Sequence, residues 1–213
     1  PFEKVEVNNK KINILGREVQ LNMFGLPDKI SSYFSKEMTY LNPDPVDILS
    51  KPMSFDVKLK NGKYEKFIND QFEIQQGILT SSQWRSLNTS KNFKMNVSGL
   101  IEYDGMMDIR IKLIANNDVS LNDISFLISM EKDASKYMLG LGRKGGKLTK
   151  NINWNWDISK HQEGLWLGNV NRGLQFVLRD NNYERPLNTN FYQSKPLKLP
   201  KSWYNQSKGG INI

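Results

Sequence analysis

The sequence predicts an all-β protein, on three observations. Apolar residues alternate with polar ones over several short stretches, which is the pattern of strands with one buried face. Asn-Gly, Asp-Gly and similar turn signals separate these stretches, and helical spacing is weak along the whole chain. We therefore predict antiparallel sheets packed as a sandwich rather than alternating strands and helices.

The first third of the chain favours short strands. Residues 5–23 alternate in this way, with a turn at Asn8-Asn9 and a break at Gly16. Residues 28–35 fit either a short helix or a strand. Residues 42–45, Asn-Pro-Asp-Pro, are predicted as an exposed loop.

A hairpin is predicted next. Residues 55–59 alternate, and Asn61-Gly62 precedes residues 64–67. Both turn residues tolerate the positive φ of a tight hairpin turn.

A second strand region has two predicted turns. Residues 93–97 alternate and are followed by Ser98-Gly99, and Asp104-Gly105 precedes a further alternating stretch, residues 107–113. Four more strands are predicted at residues 124–130, 137–141, 153–156 and 174–178. One helical turn is expected at residues 132–136, and a second exposed loop at residues 142–150.

Composition bounds the class of protein. The chain has 213 residues with 38% hydrophobic content, which predicts one domain, residues 1–213, with a core of adequate size. The absence of cysteine from the sequence excludes disulfides and thiolate metal sites. No apolar run reaches the ~18 residues of a membrane span, and no signal peptide is visible at Pro1. We interpret the chain as part of a larger protein.

The charge is strongly basic, with a net charge of +8 and a pI of about 9.5. A solvated basic surface is the favoured interpretation, because the charges are spread and no nucleic-acid-binding signature accompanies them. The alternative is attraction of a polyanion. Its candidate residues are Arg143, Lys144, Lys147, Lys198 and Lys201.

Three motifs have a catalytic or ligand-binding interpretation beside a structural one. Glu102 and Asp104 share a face if they lie on a strand and resemble a glycosidase carboxylate pair, but Asp-Gly is ordinary turn chemistry and favours a structural role. His161, the single histidine, lies in a polar stretch without a nucleophile motif. The glycine-rich residues 140–146 lack the Gly-Lys-Ser/Thr ending of a phosphate loop. No catalytic residue, metal or cofactor is therefore predicted.

Aromatic, Asn and Gly residues are interleaved in the last third of the chain. Exposed Trp rings stack on the apolar face of sugars, and Asn and Arg bind hydroxyls; buried Trp rings instead fill a core. Both interpretations stay open. The candidate carbohydrate contacts are Trp154, Trp156, Trp166, Asn169, Asn171 and Arg172.

The same region carries a family resemblance. Its motifs in this region are Trp154-Asn-Trp156, Trp166–Leu174, Tyr183–Leu187, Phe191-Tyr192, Leu199–Asn205 and Lys208–Ile211. Three further motifs lie upstream: Gly16–Glu18, Gln83–Ser86 and Glu102–Gly105. Together they resemble the amino-terminal β domain of glycoside-hydrolase-123-like bacterial proteins.

The resemblance implies a β-supersandwich of the galactose-mutarotase-like type, followed by a (β/α) barrel in which any hydrolysis takes place. It also implies export to the periplasm or cell surface. No residue of this chain matches the catalytic Asp-Glu pair of the characterised relatives. The expected function is a non-catalytic accessory domain of a multidomain glycoside-hydrolase-like protein acting on carbohydrate. An autonomous carbohydrate-binding module is the alternative, and no nucleic-acid partner is expected.

Overall fold

The computed structural model describes residues 4–77, 79–155, 164–179 and 209–213. Within these residues the elements are β-strands and one short 3₁₀ helix, which confirms the predicted all-β class. The chain divides into two compact units, Pro1–Glu131 and Lys132–Ile213. The single domain and the galactose-mutarotase-like type stay predictions.

The first unit contains eleven described strands, all paired antiparallel. They are β1 (Glu6–Asn8), β2 (Lys11–Ile14), β3 (Arg17–Leu21), β4 (Pro27–Phe34), β5 (Leu41–Asp47), β6 (Ser54–Leu59), β7 (Ile68–Gln76), β8 (Ser81–Thr89), β9 (Phe93–Glu102), β10 (Met107–Ala115) and β11 (Leu121–Leu127). They form sheets in the orders β1-β2-β3-β4-β5, β10-β9-β8-β7 and β11-β6.

The five-stranded sheet confirms the short strands predicted at the start of the chain. Its first turn falls at Asn9, with a φ of 54°, and its second at Gly16, with a φ of 60°. Residues 28–35, which fitted a helix or a strand, lie mostly in β4.

The loop predicted at residues 42–45 is wrong, because this segment belongs to β5. Pro43 and Pro45 lack an N–H, and β5 tolerates them because it lies at the edge of its sheet. The pairing register between β4 and β5 also shifts between Ser32 and Phe34.

The predicted turn at Ser98-Gly99 is also wrong, because both residues lie inside the ten-residue strand β9. Gly99 stands opposite Trp84 of β8, and a Cβ built on Gly99 would lie 2.0 Å from the Trp84 ring. The glycine makes room for an indole rather than for a turn. The Asp104-Gly105 turn is confirmed, with a φ of 94° at Gly105.

The Asn61-Gly62 turn is confirmed as well: Gly62 has a φ of 82°, and the Leu59 N–H donates to the Lys63 carbonyl at 2.9 Å. The return segment, however, makes only an isolated bridge at Tyr64. β6 pairs instead with β11, which overlaps the strand predicted at 124–130 but begins and ends three residues earlier.

The core of the first unit is mainly apolar and includes a buried tryptophan. Ile12, Val19 and Ile30 come from the five-stranded sheet, and Trp84 and Val97 from the four-stranded one. The Trp84 indole N–H donates to the Gly25 carbonyl at 2.8 Å, which satisfies the polar end of the buried ring.

The second unit begins with the 3₁₀ helix Lys132–Ser135, which confirms the predicted helical turn. Its described strands are β12 (Tyr137–Gly140), β13 (Arg143–Lys147), β14 (Asn153–Asn155), β15 (Gly164–Gly168), β16 (Gly173–Val177) and β17 (Gly210–Asn212), in the sheet orders β13-β12-β15-β16 and β14-β17. The loop predicted at residues 142–150 is wrong in its first part, because β13 forms an exposed edge strand there.

Candidate functional site

The hairpin of β15 and β16 brings together four of the six predicted carbohydrate contacts. Gly168 pairs with Gly173, and the intervening turn is closed by the Asn169 N–H, which donates to the Arg172 carbonyl at 2.7 Å. The Asn169 side-chain oxygen accepts the Val170 N–H at 2.8 Å. An Asn favours a turn in this way because its side chain mimics a backbone acceptor.

Trp166 lies across the glycines of this hairpin. A Cβ built on Gly168 would lie 2.1 Å from the Trp166 ring, and one built on Gly173 would lie 3.3 Å from its Nε1. Only glycine lets the indole lie this close to the backbone of the sheet. The ring is half-buried, so one side of it packs and part of it stays accessible.

The pairing register places Trp166 on an open face of the sheet with residues that the sequence analysis missed. Trp166 stands opposite Leu139 and Gln175, and Tyr137 stands opposite Gly168. Leu139 is 61% exposed and Tyr137 is 42% exposed. We call Tyr137, Leu139, Trp166 and Gln175 the open face. The position of Tyr137 and Leu139 on either side of Met138 in a predicted strand is the sequence signal that could have shown that they share a face.

Trp154 lies in the core, not on the open face. It is 5% exposed and clusters with Met138, Leu141, Ile152 and Leu165. Met138 and Leu165 alternate with the open-face residues of β12 and β15, so they occupy the opposite side of the sheet.

The two remaining hairpin residues are more enclosed than Trp166. Asn171 is 6% exposed. Arg172 is half-buried, and its Nε has no hydrogen-bond partner among the residues that the structure describes. Trp156, the sixth predicted contact, lies outside the described residues.

Asp104, one of the two candidate carboxylates, lies in a turn. Asp104 Oδ1 accepts the Met106 N–H at 2.9 Å, and the Gly105 N–H donates to the Glu102 carbonyl at 3.0 Å. These bonds close the hairpin between β9 and β10. Asp104 is thus engaged in a turn, as favoured from the sequence.

The glycine-rich residues 140–146 run from the end of β12 through a two-residue bend into β13, so they join two strands rather than a strand and a helix. Positive φ values of 123° at Gly140 and 62° at Gly142 form the bend. Arg143, Lys144 and Lys147 are exposed on the edge strand, whereas Lys198 and Lys201 lie outside the described residues. The basic residues therefore line an exposed edge.

The first unit contains an open groove on its five-stranded sheet, which the sequence analysis missed. It has a volume of about 530 Å³, and its lining includes Lys11, Asn13, Glu18, Tyr33 and Leu41. These residues come from four strands, β2 to β5, so no local sequence pattern announces them.

A charged cluster lies along this groove. The Lys11 ammonium is 3.0 Å from Glu18 Oε1, and the Tyr33 hydroxyl donates to Glu18 Oε2 at 3.3 Å. Burial raises the pKa of the Tyr33 hydroxyl, and the adjacent Glu18 carboxylate raises it further. The phenol therefore stays a neutral donor that helps to orient the carboxylate.

Neither a metal cluster nor a membrane-spanning helix is found in the described part of the chain. No group of three His, Cys, Asp or Glu residues there has the arrangement of a metal site. No helix there is long and apolar enough to cross a membrane. His161 lies outside the described residues.

Residues 5–213 match the family described as glycoside hydrolase 123, third domain. The chain belongs to this family, as its motifs indicated. The description gives the domain third place, whereas the resemblance implied an amino-terminal one. No curated protein and no solved structure matches the chain.

Proposed function

We propose that this chain is a non-catalytic accessory domain of a multidomain glycoside-hydrolase-like protein that acts on carbohydrate. The observation that carries the proposal is the match of residues 5–213 to a family defined as one domain of a glycoside hydrolase. The proposal includes a (β/α) barrel elsewhere in the same protein as the catalytic partner, and a periplasmic or cell-surface location.

The geometry of the carboxylates supports the non-catalytic assignment. A glycosidase needs two carboxyl groups that are free to exchange protons with, or attack, the substrate. Asp104 is instead hydrogen-bonded within its turn. Asp104 therefore has a structural role in the hairpin, which argues against an acid–base role for the pair.

A hydrolysis assay tests this proposal. The purified chain is incubated with chromogenic glycosides of the common hexoses and N-acetylhexosamines, and we expect no turnover above the uncatalysed rate. Turnover that disappears in Glu102→Gln or Asp104→Asn, with the fold intact by circular dichroism, would contradict it.

A second candidate function is an autonomous carbohydrate-binding module, and the open face favours it. Tyr137, Leu139 and Trp166 present aromatic and aliphatic surface beside the amide of Gln175. Flat apolar surface with a nearby polar group is the combination that a pyranose ring requires.

Fluorescence quenching by acrylamide tests whether the Trp166 ring is accessible enough for this role. We expect the quenchable emission to fall in Trp166→Phe but not in Trp84→Phe, because Trp84 is 2% exposed. Equal quenching in both variants would remove the support for this second function.

Polyanion binding is the least supported alternative. Arg143, Lys144 and Lys147 are exposed, but exposed lysine and arginine are the ordinary composition of a solvated surface. Retention on heparin that falls steeply with salt would favour this function, because phosphate and sulfate contacts release counterions.

A further inference from the structure

We propose that the groove on the five-stranded sheet is a second carbohydrate-binding site, which holds one sugar ring through Lys11, Asn13 and Glu18. This inference rests on the proposed function, since it names a further place where the accessory domain meets a glycan. It concerns the first unit and is independent of the open face in the second.

The carboxylate of Glu18 is held in a fixed orientation at the wall of the groove. Lys11 engages one oxygen at 3.0 Å and the Tyr33 hydroxyl engages the other at 3.3 Å. A carboxylate has about four lone-pair sites, so each oxygen can still accept a hydrogen bond from a hydroxyl group of a ligand.

Stability gives little reason for a carboxylate at this position. The Glu18 side chain is 11% exposed but its partner Lys11 is 45% exposed, and an ion pair that is open to water on one side contributes little to the free energy of folding. An oriented carboxylate at the wall of an open groove is, however, well placed to accept hydrogen bonds from a ligand.

The remaining lining matches the chemistry of a sugar. Asn13 stands opposite Glu18 on the same sheet face, and its amide offers a donor and an acceptor. The Lys11 side chain is 45% exposed, and its ammonium has further donors. Neighbouring hydroxyls on a pyranose need this alternation of donors and acceptors. Tyr33 adds apolar surface for the C–H face of the ring.

The neighbouring strands provide a matched control. Asp47 pairs with Lys29 at 3.1 Å and accepts the Ser31 hydroxyl at 2.7 Å, which repeats the lysine–carboxylate–hydroxyl arrangement. The Asp47 side chain is 41% exposed. Asp47→Asn therefore breaks an equivalent pair without changing the proposed contacts.

An NMR titration tests the inference. The ¹⁵N-labelled chain is titrated with the methyl glycosides of glucose, galactose and N-acetylgalactosamine, with sorbitol as the open-chain control. We expect at least one glycoside to shift the amide signals around Asn13 and Glu18. Glu18→Gln and Asn13→Ala should each raise the Kd at least about tenfold, and Asp47→Asn should change it by less than about twofold.

Three results would overturn the site. They are the absence of groove shifts with all three glycosides, shifts confined to the open face, and an equal loss of affinity in Asp47→Asn and Glu18→Gln. Asn13→Ala keeps the test valid if Glu18→Gln fails to fold, because the amide carries no charge that the sheet must balance. The proposed function is tested separately, by the hydrolysis assay.

Discussion

Among the residues that the structure describes, two tryptophans lie against a glycine, one in each compact unit, and they differ in what covers them. Trp84 meets Gly99 across two strands, and Trp166 covers Gly168 on its own strand; a Cβ on either glycine would lie 2.0 or 2.1 Å from the ring. Trp84 is 2% exposed and its N–H is bonded to Gly25. Trp166 is half-buried.

The comparison shows that the same local arrangement serves two purposes. Over Gly99 the indole fills a core, and all of its surface is used in packing. Over Gly168 the glycine supports one side of the ring and leaves the rest beside Tyr137 and Leu139. Burial, rather than residue type, decides which tryptophan is a candidate for stacking on a sugar.

Gly99→Ala should give the largest effect. The new methyl group has to displace a buried ring, and overpacking of this kind costs about 3 kcal/mol of unfolding free energy. Chemical denaturation followed by circular dichroism measures the loss, with the two units fitted as separate transitions if they appear.

Gly168→Ala is the matched substitution and should cost only about 1 kcal/mol, because the Trp166 ring has open solvent into which it can turn. Neither glycine has a positive φ that would strain alanine by itself. Equal costs at the two positions would break the comparison, since they would mean that Trp166 is held as firmly as Trp84.

Trp84→Phe and Trp166→Phe sharpen the same contrast. The first leaves the buried Gly25 carbonyl without its donor and opens a small cavity, at a cost of about 2 kcal/mol. The second should cost about 0.5 kcal/mol or less, as at other partly exposed positions. Thermal unfolding of the two variants in parallel checks the difference, and a larger loss for Trp166→Phe would contradict it.

Glu65 provides a smaller, pH-dependent effect in the same unit as Trp84. Its two oxygens accept the Asn92 N–H and side-chain amide, each at 3.0 Å. Burial alone would raise the pKa of Glu65, but the hydrogen bonds from Asn92 and Ser90 together outweigh it and hold the pKa below its ordinary value of 4.5.

Because the folded pKa is lowered, the stabilisation is present above pH 4.5 and is lost as the pH falls through the folded value. Glu65→Gln should cost about 1 kcal/mol at neutral pH and should flatten the acid limb of the stability profile. Glu37→Gln, at an exposed position, serves as the control. An unchanged acid limb in Glu65→Gln would contradict the assignment.

The all-β class was predictable because alternation and turn residues are local signals. Gly99 was misassigned as a turn because the residue that requires a glycine there, Trp84, lies fifteen positions away on another strand. The prolines of β5 suggested a loop, but an edge strand accommodates them. Long-range pairing decides both cases, and one sequence does not display it.

The candidate sites divide in the same way. Trp166, Asn169, Asn171 and Arg172 lie in one continuous hairpin, so the local sequence pattern was enough to group them as candidates. Tyr137 and Leu139 join Trp166 only through the pairing of β12 with β15. The groove draws Lys11, Glu18, Tyr33 and Leu41 from four strands and became visible only once the sheet was assembled.

A calorimetric titration most directly tests whether the open face is where this domain meets carbohydrate. A glycan that binds the chain is titrated into Trp166→Ala and Tyr137→Ala, with Tyr64→Ala as the control because Tyr64 is 57% exposed in the other unit. The two open-face variants should lose at least about tenfold in affinity, since aromatic hot spots carry a large share of binding. Tyr64→Ala should bind as the unchanged chain does. Undiminished binding in both open-face variants would contradict the assignment of the open face as a carbohydrate-binding surface.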